Sequence, residues 1–381
     1  MKLYQRCTRC VMDNTADEMI IFDDCGVCNY CKKAYNLLDS TYFPNKIGKE
    51  KLIKLLYEVK NEGNGKKYDC IMGISGGLDS SYLCYLGYTW GLRVLLVHVD
   101  DGFDTDISKE NIEKLVKKTG FDYKVINPDV VQYNDLIKSY LKAGVPNVTA
   151  PQDNILFACL YKYMRKYKIR YFLSGGNFAQ ESILQLGNSH SASDIVNIKD
   201  IHSKFGNERI DKLPLLSTRQ KLFDNKILKI ESPRPLNYID YQRDKAFKEL
   251  NDFCGFQYYG AKHLENILTA FVQLYWLPKK FGVDKRTSHF SSMIVSGQIS
   301  RDEALTQLMQ PLYNPDLMNG YISIIKNKLK ISDIEFEKIM DAPIHKHTYF
   351  KTEKELKIIK LIVFIKNILN KRKHNKKEII R

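Results

Sequence analysis

Ser75, Gly76, Gly77, Asp79 and Ser80 stand together in the run Gly73-Ile74-Ser75-Gly76-Gly77-Leu78-Asp79-Ser80-Ser81. Adjacent glycines let a backbone approach a phosphate closely, serine hydroxyls add donors, and a carboxylate such as Asp79 can hold a Mg²⁺ that screens the phosphate charge. The neighbouring residues supply the setting. Tyr68-Asp69-Cys70-Ile71-Met72 reads as a short buried strand, and Tyr82-Leu83-Cys84-Tyr85-Leu86 as the start of a helix, so the glycines form a strand–turn–helix anion cradle. No Gly-Lys-Ser/Thr follows and the chain has no G-x-G-x-x-G, which sets aside the lysine-bearing P-loop and the dinucleotide fingerprint. A serine-rich turn without a ligand is the plain alternative, and the flanking strand and helix weigh against it.

The elements that must hold this cradle alternate. Leu92–Asp100 is a nearly continuous apolar run of the kind found in buried parallel strands, with Asp100, Asp101, Asp104 and Asp106 at and beyond its end. Those acids read equally well as ligand contacts or as a solvated loop. Residues 108–119 read as a helix, 123–126 as a strand, 152–167 as a helix, and 169–173 as a strand ending in Ser174-Gly175-Gly176-Asn177. This β-α alternation implies a doubly wound parallel sheet, in which two glycine turns at strand ends open onto the same edge. Asp153 reads as a helix cap more readily than as a site residue.

Cys7-x-x-Cys10 and Cys28-x-x-Cys31, seventeen residues apart, fit the spacing of a four-thiolate zinc site; an iron–sulfur cluster shares that spacing. Met19–Phe22 reads as a strand between the two knuckles, and Cys25 is a fifth thiol outside the preferred ligand set. Five of the nine cysteines lie in the first 31 residues, which suits a metal and a reducing compartment better than disulfides, and a cytoplasmic location is expected. No run of transmembrane length or secretory signal is read. Residues 351–381 hold eleven Lys and Arg against three Glu, +8 of the net +15, so the rest of the chain argues only weakly for nucleic acid. The expected division is 1–45 zinc module, 46–250 ATP-binding α/β domain, 251–345 helical substrate or partner region, and 346–381 basic amphipathic tail. That tail reads equally as an anionic-membrane contact and as a helix packed on the body.

Between residues 256 and 301, Lys262, Lys279, Lys280, Lys285, Arg286 and Arg301 are interleaved with aromatics. They suit a phosphate-bearing ligand with a stackable ring, or simply a solvated basic face. Ser300-x-x-Glu303 reads as a capping box.

Taken together, these segments carry two resemblances. Ser-Gly-Gly-x-Asp-Ser resembles the PP-loop of the ATP pyrophosphatases, which cleave ATP between the α- and β-phosphates. The two knuckles, Ser75–Ser80, Ser174–Asn177 with Glu181, Lys262-His263-Leu264-Glu265, Lys280–Arg286 and Ser296–Arg301 are together similar to the N-acetyl sugar amidotransferases of surface-polysaccharide and lipopolysaccharide pathways, over roughly residues 5–310. The resemblance implies that a sugar acetamido oxygen attacks the ATP α-phosphate and that ammonia then displaces AMP to leave an acetamidine. It implies pyrophosphate binding by Ser75, Gly76, Gly77 and Ser80, further nucleotide contacts from Ser174, Gly175, Gly176 and Asn177, Mg²⁺ on Asp79, and structural Zn²⁺ on Cys7, Cys10, Cys28 and Cys31. Lys262, His263, Lys285 and Arg286 become candidates for sugar-nucleotide phosphates or for charge at the α-phosphate. The expected partners are an acetamido nucleotide sugar and a separate glutaminase subunit, since position 2 is Lys and no cysteine stands in a glutaminase context. A tRNA-thiolating PP-loop enzyme is the main rival, although Cys70 and Cys84 read as core residues. A non-enzymatic zinc-ribbon adaptor on nucleic acid is the weaker one.

Overall fold

The structure, a computed structural model, describes residues 3–260 and 264–353. Four strands, β1 (Cys70–Gly73), β2 (Val94–Val99), β3 (Asp122–Ile126) and β4 (Tyr171–Phe172), form one sheet in the order β3-β2-β1-β4, and all pairs are parallel. This is the doubly wound sheet that the alternation predicts, with β1 and β2 at its centre.

The two-residue period of the strands decides which side chains meet which helices. Cys70, Met72, Val94 and Leu96 face one core with Leu83, Cys84, Ile112 and Leu115. These come from α3 (Leu78–Thr89) and α4 (Asp106–Thr119). Ile71, Leu95 and Val97 face the other side, against Ala158, Leu160, Tyr161 and Met164 of α6 (Ala150–Tyr167). A further helix, α5 (Val130–Ala143), lies between β3 and α6 in the chain, bounded by Asp129 as N-cap and Gly144 in a left-handed C-cap.

Two N-terminal helices, α1 (Asn29–Thr41) and α2 (Lys46–Gly63), precede the sheet. Met19–Phe22 is not a strand: its only pairing is an isolated bridge from Phe22 to Cys28, because Cys28 already turns the chain into α1. The cysteines share one hydrophobic core with the sheet. Beyond β4 the chain is helical: α7 (Phe178–Glu181), α8 (Ile195–Phe205), α9 (Thr218–Lys226), α10 (Arg243–Cys254) and α11 (Ile267–Phe271). A π-helical turn, Val272–Trp276, joins α11 to α12 (Leu277–Phe281). There follow α13 (Arg286–Val295), α14 (Arg301–Leu308), α15 (Pro315–Leu329) and α16 (Asp333–Asp341). Residues of α5, α8, α11, α15 and α16 build a core of their own around the fully buried Trp276, whose indole N–H donates to Val145 O at 3.0 Å. Among the described residues no helix is long and apolar enough to cross a membrane. The basic run from residue 354 onward lies outside the described residues.

Candidate active site

At the carboxyl end of β1 the chain turns through Ile74–Gly77 and enters α3 with Gly77 as N-cap, so the first amides of the helix face the sheet edge. Gly76 adopts φ +74°, and a Cβ there would lie 2.3 Å from the Ser108 carbonyl oxygen. Serine hydroxyls brace the turn: Ser75 Oγ and Ser80 Oγ are 3.1 Å apart, Gly77 N donates to Ser75 Oγ at 3.2 Å, and Ser75 N donates to Ser80 Oγ at 3.3 Å. The second glycine turn packs directly on the first. A Cβ on Gly175 would sit 3.1 Å from Asp79 C and Ser80 N. Asn177 is buried and caps α7, accepting from Gln180 N at 3.0 Å, so its part is to set the turn.

Over both turns opens a cavity of about 460 Å³, a size suited to a small-molecule ligand. Ser75, Gly77, Asp79, Ser80, Ser174, Gly175 and Gly176 line it, with Glu181, Asp153 and Arg243. Leu156, Phe157, Leu160 and Phe172 give it an apolar wall on which a base could rest. The Tyr241 hydroxyl donates to Asp79 Oδ1, and Tyr259 OH accepts from Leu78 N at 2.7 Å. Ser75 Oγ donates to Glu265 Oε1 at 3.3 Å, which places a carboxylate oxygen at the cradle itself.

Of the acids after β2, Asp101 and Asp104 line this cavity, whereas Asp100 does not and Asp106 is an exposed residue in the first turn of α4. Asp101 accepts from Tyr133 OH at 2.7 Å and Gln152 Nε2 at 2.6 Å, and burial, with the charge of Asp104, raises its carboxyl above the usual range. His98 Nδ1 lies 2.8 Å from the Ile74 carbonyl oxygen and Nε2 lies 2.9 Å from Asp104 Oδ2. Both ring nitrogens face acceptors, which calls for two N–H groups and an imidazolium. Burial opposes that charge, but the hydrogen bond and charge of Asp104, with Ile74 O and Asp100, outweigh it and raise the pKa above 6.5. The pair therefore stabilises the fold fully below pH 6.5 and loses that contribution as pH rises through the higher folded value. His98→Gln is expected to cost about 1–3 kcal/mol at pH 6 and distinctly less at pH 9 in urea unfolding; a gap independent of pH would contradict the charged pair.

Several cations foreseen for phosphate are committed elsewhere. Arg286 clamps Asp284, with Nη2 to Oδ2 at 2.8 Å, and its Nη1 caps the end of α14 at Gln310 O, 3.0 Å away; it does not line the cavity, and its observed role is structural. Lys280 Nζ donates to the carbonyls of Ile339, Met340 and Ala342 at the C-terminal end of α16, at 2.7, 2.9 and 2.6 Å. Lys285 also lies off the cavity; burial lowers its ammonium pKa, and the charge of Asp17 opposes that shift. Lys262 and His263 lie outside the described residues. Tyr258 and Tyr259 come from the aromatic and basic run read from the sequence, whereas Arg243 and Tyr241 are additions to the site that sequence spacing did not signal. Glu303 closes the capping box on Ser300, as read from the sequence.

The cysteines form a separate centre. Cys7, Cys10 and Cys31 sulfurs lie within 4.8 Å of one another, and Cys10 Sγ is 3.7 Å from Cys28 Sγ. Amides of Cys10 and Cys28 donate to Cys7 Sγ at 3.4 and 3.2 Å, and Cys31 N donates to Cys28 Sγ at 3.3 Å. Such N–H···S bonds favour thiolates, and the donor set fits a tetrahedral Zn²⁺. Contacts among the thiols lower Cys7 and Cys10 and raise Cys28 and Cys31, since so close a group cannot all ionise without a cation. Cys25 is exposed. Arg301 fastens the first knuckle, with Nε to Cys10 O at 3.1 Å and Nη2 to Cys7 O at 3.0 Å. Arg301→Ala should lower stability by about 2–3 kcal/mol and speed metal loss to a chelator, followed with a zinc indicator dye; unchanged release kinetics would count against that role.

A parallel sheet with a strand–glycine turn–helix cradle and a second glycine turn packed on it defines an α/β protein with a built anion-binding edge, the arrangement that the PP-loop resemblance leads one to expect. Residues 265–365 match the family model described as "LPS biosynthesis protein WbpG-like, C-terminal domain", in agreement with the sugar-pathway resemblance, and that segment begins at the residue that reaches Ser75. No curated protein matches the chain. Among solved structures, the chain is similar to NMN synthetase from Francisella tularensis (17% identity, 60% of this chain and 92% of that one, TM-score 0.30). It is also similar to an NH3-dependent NAD synthetase from Campylobacter jejuni subsp. jejuni NCTC 11168 in complex with nitrate (14% identity, 56% and 99%, TM-score 0.29).

Proposed function

We propose that the chain is an ATP-dependent, AMP-forming amidotransferase. It converts the acetamido group of a nucleotide-linked sugar to an acetamidino group, with ammonia from a separate glutaminase subunit, in the cytoplasm. The observation that carries this reading is the meeting of Gly175 with Asp79 and Ser80, which joins two anion-binding turns into one cradle beside a cavity roomy enough for nucleotide phosphates. The WbpG-like match of residues 265–365 supports a sugar substrate in a lipopolysaccharide pathway.

An amide carbonyl is a poor electrophile and its oxygen a poor leaving group; transfer of AMP to that oxygen relieves both. Ser75, Ser80 and the first amides of α3 bind the departing pyrophosphate, and Ser174 with the Gly175 and Gly176 backbone holds the facing side. Asp79 and Glu181, both on the cavity, suit a Mg²⁺, which would neutralise phosphate charge when bound. Tyr241 orients Asp79, and Gln298 Nε2 holds Tyr241 O at 2.8 Å, which ties the Ser296–Arg301 segment to the cradle. Arg243, on the cavity wall, is suited to charge at the α-phosphate. Ile74, whose carbonyl bonds His98, is thereby fixed against the sheet, so the loop is pre-organised.

The thiolation alternative needs an accessible sulfur nucleophile. Cys70 and Cys84 are fully buried, and burial raises both thiols, Cys84 to about 12. The deciding experiment measures AMP and pyrophosphate release from ATP-Mg²⁺ and ammonium, with acetamido nucleotide sugars run against bulk tRNA. Sugar-dependent AMP, with a product in which NH has replaced O by mass, supports the proposal; AMP formed only with tRNA refutes it.

A further inference from the structure

Asp153 is a carboxyl group for which neither the cradle nor the fold has a use. It lies in the first turn of α6, whose N-cap is Thr149, so it does not cap the helix as its position in the sequence suggests. Its neighbours have structural work. Asn154 is buried and holds Leu216 N at 2.9 Å, and Gln152 Nε2 donates to Asp101. Asp153 instead opens onto the cavity, and among the described residues it has no hydrogen-bond or ion partner. Helix α6 packs on β1, β2 and β4, which places its N-terminal turn at the carboxyl edge of the sheet. The charged and titratable groups that share the cavity with it among the described residues are Tyr133 from α5, which feels its charge, Asp101, Asp104 and His98 at and after the end of β2, Asp79, Glu181, Arg243, Tyr258, Tyr259 and Glu265.

Four of these groups are already satisfied by one another: Tyr133 donates to Asp101, and His98 is paired with Asp104. Among the described residues no cation is paired with Asp153. Its side chain is exposed within the cavity, and the crowding of the surrounding walls pushes its carboxyl up to about 6. That value suits a group that must be ionised near neutrality and must also hold a proton briefly.

We propose that Asp153 is the general base of the amine-transfer half of the reaction, the acceptor of the proton that ammonia must lose. This rests on the amidotransferase reading above. The lone pair of ammonia forms the new C–N bond at the adenylated acetamido carbon, leaving an –NH₃⁺ on a tetrahedral centre. Asp153 takes one of its protons. The C–O bond then breaks with its electron pair leaving on AMP, and the product is an amidinium cation. Asp153 returns its proton to water once the products leave. The adenylation half, in which the acetamido oxygen attacks phosphorus, does not need this base.

The two halves separate experimentally. Sugar-dependent exchange of labelled pyrophosphate into ATP reports adenylation, and acetamidine formation with ammonium reports the whole sequence. Asp153→Asn should keep exchange within about threefold of wild type while acetamidine formation falls about 100-fold or more, in the range of lost general-base catalysis. With rates expressed per concentration of free ammonia, acetamidine formation by the wild type should fall below pH 6 and the variant should lose that acid limb. Asp153→Ala, with ATP affinity and melting temperature checked first, should be partly restored by formate, which a structural role would not allow. Equal loss of exchange and amidination, or no loss of either, overturns the assignment. If wild type itself shows no exchange with any acetamido sugar, the amidotransferase reading fails and this inference fails with it; the variant data alone cannot mimic that result.

Discussion

Gly76→Ala should abolish ATP-dependent turnover while leaving the chain able to fold. Two effects coincide at this residue. Its φ of +74° is left-handed, which costs an alanine about 1–2 kcal/mol. The added methyl would also sit 2.3 Å from Ser108 O, a backbone atom in the first turn of α4 that cannot swing aside as a side chain would. The loop must therefore move, and the atoms that move are the phosphate donors themselves. A displacement on the order of 1 Å at such a site typically costs about 100-fold in rate, and we expect at least that loss in AMP formation with about 2–4 kcal/mol of stability. Gly65 supplies the control. Its φ is +71° but nothing lies within 4 Å of its Cβ position, so Gly65→Ala should cost about 1–2 kcal/mol and leave turnover intact. Wild-type AMP formation by Gly76→Ala would remove the loop from the reaction; equal losses in both variants would make the effect one of strain alone.

What the sequence disclosed and what it hid divide along physical lines. The cradle was legible because its chemistry is local: Ser75 to Ser80 are contiguous, and their strand and helix announce themselves by periodicity. The second turn at Ser174 was legible for the same reason, and the parallel sheet brings it to Asp79 as its topology requires. Helix α5 was readable but passed over. Tyr133, Leu136, Ile137, Tyr140 and Leu141 follow a helical repeat behind Asp129, and all are buried. By contrast, Tyr241 and Arg243 reach the site from a segment with no motif, by long-range packing alone. The basic residues near the C-terminal end misled for a related reason. Charge composition cannot distinguish a cation that meets a ligand from one that meets a helix terminus. Lys280, Arg286 and Arg301 each satisfy backbone carbonyls, the last two of them at the end of α14 and at the first knuckle.

The same contrast sets the expected effect of removing a cysteine. Cys28→Ser should eliminate bound metal and destabilise the whole protein, whereas Cys25→Ser should do neither. Cys28 has two uses. Its sulfur belongs to the cluster, 3.7 Å from Cys10 Sγ, and as N-cap of α1 it accepts from Cys31 N at 3.3 Å. Serine oxygen can replace the cap but is a poor fourth ligand to a thiolate-bound cation. The segment before α1 has little regular structure, held by isolated bridges and turns, so binding of metal contributes its folding energy directly. The loss would not stay local. Cys7, Cys10, Cys28 and Cys31 belong to the same core as Met72, Leu83 and Leu96, and Val11 N is held by Ser291 Oγ of α13 at 3.2 Å. Loosening the knuckles therefore uncovers one face of the cradle domain. We expect about one zinc per wild-type chain by mass spectrometry of the metal, a structural site of the kind worth about 10 kcal/mol or more in isolated zinc peptides, and here a smaller loss of several kcal/mol because packing shares the burden. Full metal content in Cys28→Ser would sink the four-thiolate assignment. Iron in place of zinc, with a visible charge-transfer band, would replace the metal but keep its ligands. Loss of metal in Cys25→Ser would move the fourth ligand to a residue whose side chain is exposed.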